Sequence, residues 1–240
     1  MMTNRGENMV DIRTSLCAAL LSVAASAPAV AATVSSSFDI DTEGWTATAF
    51  SDTATIFTSP PSQSGLAPSF HAAGGNPGGF ISIADPDNGW TYFVAPSKFL
   101  GDQSDKLGGT LAFSLQHAVN GGSIIGTPGT AVLRSGSRVL VHDAGTVPAN
   151  SPNWTAYGVA LAAPFWRDAG TGTTVTDDVL ALTLADLDGL FLSAEFVTPV
   201  VEISGLDSVS LAAPVPLPPA VLGLASGLGV LALRARRRAR

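Results

Sequence analysis

The chain has 240 residues, 46% of them hydrophobic and 13% charged, with 25 Gly and 16 Pro. That apolar content excludes a disordered tail, and Gly and Pro in these numbers favour many short strands joined by turns over long helices. The net charge of −7 is spread very unevenly. Five of the twelve basic residues (Arg234, Arg236, Arg237, Arg238 and Arg240) crowd the last seven positions, while Arg5 and Arg13 lie in the first thirteen. The middle keeps five basic residues against seventeen acids, an excess of twelve negative charges. This excludes a nucleic-acid-binding face, because phosphate contacts need a basic one.

Behind Arg13, the stretch from Leu16 to about Ala27 is apolar and ends in Ala29-Val30-Ala31-Ala32, small residues at the spacing a signal peptidase reads. Residues 1–32 are therefore expected to be a secretory signal helix, starting from Met9 and handed to the export machinery; the competing reading is a buried N-terminal helix. Cys17, the only cysteine, lies inside this run and lacks the small residue expected just before a lipid-modified cysteine. Cleavage would leave a mature chain without disulfides, held together by its core.

Between Thr33 and Ala213 no long linker, charge block or repeat interrupts the chain, so residues 33–213 read as a single domain. Its strand candidates are short, β-branched or aromatic, and bounded by Gly, Pro, Asn or Asp. In order they are Trp45–Phe50, Gly79–Ala84, Trp90–Val94, Thr110–Leu115, Arg138–His142 and Trp154–Leu161. In the last of these, Tyr157, Val159 and Leu161 share one parity, as expected where one face covers a core. A helix is expected over Val179–Leu187, with Thr176 as its cap, Asp177 and Asp178 at its positive end and Gly189 as its stop. Leu190–Phe196 and Leu206–Leu211 complete the set. The pattern predicts an all-β, antiparallel jelly-roll β-sandwich with one short helix.

After the domain, Pro216-Leu217-Pro218-Pro219 breaks the chain, Ala220 to Leu233 is apolar or small throughout, and the arginines follow. Fourteen residues are short for a span that usually needs about twenty. Such a hydrophobic helix would still halt in the inner membrane after export, with its arginines on the cytoplasmic side. This segment, residues 214–240, resembles C-terminal sorting signals of the PEP-CTERM type, in particular the variant reading Val-Pro-Leu-Pro-Ala. Here Val215-Pro216-Leu217-Pro218-Pro219-Ala220 carries one extra proline. The resemblance implies an exosortase-like sorting enzyme as partner, at least transient residence in the membrane, and delivery to the cell surface or extracellular matrix. A plain membrane anchor is the alternative.

Phe38-Asp39, Glu43-Gly44-Trp45, Gly74-Gly-Asn-Pro-Gly-Gly-Phe80, Phe93-Val-Ala-Pro-Ser-Lys-Phe-Leu-Gly-Asp102 and Leu206-Asp-Ser-Val209 together are similar to the laminin B domain, also called laminin domain IV type A. The likeness covers roughly residues 37–211. It implies a galactose-binding-like β-sandwich used as an extracellular structural or adhesive module, with no enzymatic activity.

Candidate chemistry is sparse. His71, His117 and His142 form no metal-ligand or triad motif, and each reads as a strand residue. Glu195 and Glu202 are the acids to consider for glycoside hydrolysis, which needs two carboxyls at a set separation. Asp39-Ile-Asp41-Thr-Glu43-Gly44 opens like a calcium loop, but Phe50 stands where the bidentate glutamate belongs, which rejects an EF-hand. A structural calcium held by Asp39 or Glu43 with Asp207 stays open beside a solvated turn in which Asp207 accepts a backbone hydrogen bond; no other cofactor is expected. Asp85-Pro-Asp87-Asn-Gly89 reads as a tight turn. Trp45, Trp90, Tyr92, Trp154 and Trp166 could stack on sugar rings but read first as core and strand-pair residues; of these Trp166, beside Arg167 and Asp168 on a loop, is the candidate for an exposed sugar contact. The leading expectation is an exported, non-enzymatic surface protein. A carbohydrate-binding module for exopolysaccharide is the second, and a secreted glycoside-active enzyme the third.

Overall fold

The computed structural model describes residues 32–50, 61–87, 89–125 and 129–215. The signal segment up to residue 31 and the sorting motif from Pro216 to Ala220 lie outside the described residues, as do both expected terminal helices.

Turn residues divide the middle of the chain into short extended segments. In chain order the strands are β1 (Thr33–Ser36), β2 (Thr46–Phe50), β3 (Gln63–Leu66), β4 (Ser69–Gly75), β5 (Gly78–Ala84), β6 (Trp90–Val94), β7 (Thr110–Ala118) and β8 (Ser123–Ile124). They continue with β9 (Ala131–Ser135), β10 (Arg138–His142), β11 (Ala149–Asn150), β12 (Thr155–Ala160), β13 (Arg167–Asp168), β14 (Gly189–Ser193), β15 (Val197–Thr198) and β16 (Ile203–Ala212). The helix α1 (Asp177–Ala185) lies between β13 and β14.

Two seven-stranded sheets result. The first runs β11-β7-β16-β5-β4, with β12 also on β7 and β1 also on β16. The second runs β13-β10-β9-β14-β6-β2-β3, and β8 pairs separately with β15. Within these sheets only β11 and β7 run parallel, so the antiparallel β-sandwich expected from the sequence is the fold. Alternation puts Leu111, Phe113 and Leu115 of β7 into the core, where they meet Phe93, Leu133, Leu190 and Leu192 from the second sheet. On β12, Tyr157 and Val159 are buried while Ala156 and Gly158 are exposed, the predicted parity. Strand β14 is buried on both sides: Leu190 and Leu192 join the core, and Phe191 joins Phe50, Tyr92, Val132, Val139 and Val141 in a second apolar cluster.

Helix α1 starts where expected. The hydroxyl of Thr176 accepts from the Val179 N–H at 3.4 Å, Asp177 and Asp178 fill the first turn, and Leu180 and Leu184 are buried. At the domain's ends, β1 pairs with β16 from Thr33↔Ala212 to Ser36↔Val209, and the Ala213 N–H donates to the Ala32 carbonyl at 2.9 Å. The described residues all fall in one compact unit, Ala29–Pro216. Among them no helix is long and apolar enough to cross a membrane.

Candidate functional site

The residues of the first sheet that do not enter the core build a groove on its other face. Pairing places Gln116 of β7 opposite Gly205 of β16, Gly205 opposite Ser82 of β5, and Ser82 opposite Ser69 of β4. These four positions form a polar row across four adjacent strands. One step along, Ala118, Ile203 and Ala84 pair into a parallel aliphatic row. On the other flank His71 pairs with Phe80, and their rings stack at 4.3 Å between centroids and 11° between planes. The three rows line a cavity of about 320 Å³.

Trp154, just ahead of β12, extends the aromatic flank. Its ring meets Phe80 edge-on at 5.3 Å, and its Nε1–H donates to the Gly74 carbonyl at 2.9 Å, which fixes the ring. The His71 Nε2 lies 2.9 Å from the Ser82 hydroxyl. At the floor, a Cβ on residue 205 would stand 2.9 Å from Gln116 Cγ and 3.2 Å from Trp154 Cη2, so a glycine leaves room for both side chains. Gln116 is 6% exposed, and its Oε1 has no hydrogen-bond partner. No Asp, Glu, Lys or Arg lines the cavity among the described residues.

Trp166 does not serve as expected. The 3₁₀ turn Ala163–Phe165 leaves Phe165 exposed and turns Trp166 into the core, where it is 0% exposed and its Nε1–H donates to the Ala160 carbonyl at 3.0 Å. A ring buried there cannot stack on a sugar. Arg167 is exposed on β13, and Asp168 is turned to its own loop, accepting from the N–H groups of Gly170 and Thr171. Of the sorting motif, Val215 is described and is exposed.

Glu195 and Glu202 are both buried, at 2% and 0% exposure, which keeps them from a polymeric substrate. Glu202 accepts from the Phe196 N–H at 2.7 Å and the Ser204 hydroxyl at 3.4 Å, while its other oxygen lies 3.7 Å from His117 Nδ1. Burial pushes Glu202 up to about 7. Glu195, which accepts from the Thr91 N–H, is pushed up to about 8 by burial and by the charges of Asp85 and Glu202. Asp85 accepts from the Asp87 N–H and the Thr91 hydroxyl, as the tight-turn reading requires.

The acids considered for calcium are already engaged. Glu43 pairs with Lys98 and accepts from the N–H groups of Ser37 and Phe38; burial opposes its ionisation, but these partners prevail and hold its carboxyl below the usual range. Asp207 is fully buried and accepts from the N–H groups of Asn76 and Ser208. Burial and the nearby Asp39 charge raise its carboxyl in spite of those bonds. Among the described residues no three His, Cys, Asp or Glu side chains gather to hold a metal ion. The arrangement works as a clasp in which Asp207 ties β16 to the β4–β5 turn.

Fold and groove define a β-sandwich module with one short helix. The chain belongs to the laminin B (domain IV) family, whose sequence model matches residues 92–222. Among solved structures it is similar to the L4b domain of human laminin alpha-2, at 16% identity over 56% of this chain and 80% of that one, with a TM-score of 0.49. It is also similar to the family 11 carbohydrate-binding module of the cellulosomal cellulase Lic26A-Cel5E of Clostridium thermocellum, at 14% identity over 77% of this chain and 98% of that one, with a TM-score of 0.43. The family 11 module from the same organism in complex with a β-1,3-1,4-mixed-linked tetrasaccharide gives 14%, 78%, 98% and a TM-score of 0.45. No curated protein matches the chain.

The groove was not among the sites expected from the sequence, because it gathers residues from four separate stretches of chain. One signal was present. In Gly79-Phe-Ile-Ser-Ile-Ala84 the isoleucines take one parity, so Phe80 stands with Ser82 on the other, an aromatic ring on the polar side of a strand.

Proposed function

We propose that this chain is an exported, non-enzymatic surface or matrix module whose groove across β7, β16, β5 and β4 binds extracellular polysaccharide. The observation that carries this reading is the polar row of the groove flanked by an aromatic and an aliphatic row. A pyranose presents apolar C–H faces and a rim of hydroxyls, and such a surface answers both. Membership of the laminin B family is consistent with an adhesive role.

The test is retention of the compact unit, Ala29–Pro216, on immobilised polysaccharides. Trp154→Ala and Phe80→Ala should each abolish saturable binding while leaving the fold intact. Binding that survives both substitutions rejects the groove, and release of soluble sugar would make the protein a hydrolase instead. Export and sorting have a separate test: deletion of residues 214–240 should change where the protein ends up, and an unaltered surface location would remove the sorting enzyme from its partners.

A further inference from the structure

We infer that the groove selects a saccharide bearing methyl groups, as a deoxyhexose or an O-acetylated sugar does, and that Ala118, Ile203 and Ala84 receive the methyl. The inference rests on the polysaccharide reading of the groove and names the class of sugar. Two residues along a strand the chain returns to the same face of the sheet, after about 7 Å. Ala118, Ile203 and Ala84 therefore lie that far from Gln116, Gly205 and Ser82, on the side away from Phe80. The polar row is the closed part of the groove, with Ser82 7% and Gln116 6% exposed. The aliphatic row is the open part, since Ile203 is 47% exposed and both alanines are exposed. Of the large hydrophobic side chains exposed among the described residues, Ile203 is the one that lines this cavity. A ligand settling in the groove covers this row and removes it from water.

The class of sugar follows from the cost of burying a hydroxyl. An ordinary hexose carries an oxygen on nearly every carbon. A hydroxyl pressed onto Ile203 and the two alanines would lose its water and find no side-chain partner. A methyl in the same place loses only unfavourable hydration, and the row it covers does the same. The aromatic flank then takes one face of the ring, the polar row its hydroxyls and the aliphatic row its methyl. Such a row does not tell a deoxyhexose from an acetyl ester, because it reads the methyl that the two share.

The experiment measures the affinity of the full chain by calorimetry, in a detergent without a sugar head group. The probes form two pairs: an O-acetylated glucomannan with the same polymer after alkaline deacetylation, and a rhamnan, built of deoxyhexoses, with a mannan. At least one methyl-bearing polymer should bind, about tenfold more tightly than its counterpart. Binding of the acetylated glucomannan alone assigns the row to an ester, and binding of the rhamnan alone assigns it to a deoxyhexose. Ile203→Ser should erase the preference by weakening the methyl-bearing polymer about tenfold, whereas Ile203→Val, which keeps the row aliphatic, should retain it. Ala84→Ser, a smaller change at an exposed position, should narrow the preference in the same direction and carries the comparison if Ile203→Ser misfolds. Equal binding within each pair, or tighter binding of the methyl-free polymers, overturns the inference; if Trp154→Ala abolishes that binding, the polysaccharide reading stands. A preference that survives both Ile203→Ser and Ala84→Ser at full size also overturns the inference. Failure of every polymer to bind rejects both readings.

Discussion

Replacing Glu202 with Gln should make the domain more stable in alkali and nearly neutral to stability in acid. In the folded protein the carboxyl of Glu202 is wholly buried and keeps its proton to about pH 7; its ordinary value is 4.5. From pH 4.5 upward the unfolded chain therefore binds fewer protons than the folded one, and stability falls as pH rises until the folded group has also ionised. At 1.36 kcal/mol per pH unit, a displacement from 4.5 to about 7 corresponds to about 3 kcal/mol, fully expressed above pH 7. The amide of a Gln at 202 keeps the acceptor for the Phe196 N–H and offers an N–H to His117 Nδ1, 3.7 Å from the present oxygen. At pH 8 the variant should thus gain about 3 kcal/mol, or roughly 6–12 °C in Tm for a domain of this size. Near pH 4.5 the two proteins should be nearly equal. His117, whose pKa burial lowers, works in the opposite direction below its ordinary 6.5, so the difference between variant and parent at each pH is the quantity to follow. Urea unfolding at pH 5, 6, 7 and 8 gives that difference directly. A difference that stays constant across the four pH values would refute the argument.

Trp166→Ala should cost about 3–5 kcal/mol in urea unfolding, as for a large ring removed from a core, and should leave polysaccharide affinity unchanged; lost affinity with unaltered stability would return Trp166 to the binding site. Gly75→Ala should destabilise by about 2–3 kcal/mol, because its Cβ would lie 2.1 Å from the Gly79 carbonyl oxygen and 2.7 Å from Asp207 Oδ2; thermal melting reads this, and an unchanged Tm would show that the clasp tolerates the shift. Millimolar calcium should leave the Tm of the parent within about a degree, since mass action raises stability only when the native state binds; a rise of several degrees, lost in Asp207→Asn, would show that the N–H donors yield to a cation.

Elements with strong local patterns were legible in the sequence. Strand β12 declared its buried parity through Tyr157 and Val159, and α1 declared its start through Thr176 and the two aspartates behind it. Strand β4 did not: Ser-Phe-His-Ala-Ala-Gly-Gly has no β-branched residue, and it is a strand because β5 pairs with it. The placement of Trp166 turned on one residue of a 3₁₀ turn, which decides whether Phe165 or Trp166 faces inward, and composition does not encode that choice. The groove needed the register of three strand pairings before Gln116, Gly205, Ser82 and Ser69 became neighbours. Glu202 and Glu195 were visible as rare glutamates, but their burial comes from tertiary packing.

Strand β16 contributes Ile203 and Gly205 to the groove and then runs on, through a shift of register against β7 between Asp207 and Ser210, to Ala212 at the domain's exit. Along that length it is bonded to β7 and β5 near the groove and to β7 and β1 near the exit. Tension between a polysaccharide in the groove and an attachment point beyond residue 213 would therefore travel down a single strand gripped from both sides. The rungs of those ladders lie across the pull and share the load, so they must fail together. Tension between residues 32 and 213 would instead open the β1–β16 pair from its end, one rung at a time. The same domain would hold firm against drag from its ligand and yield readily to stretching between its own two ends.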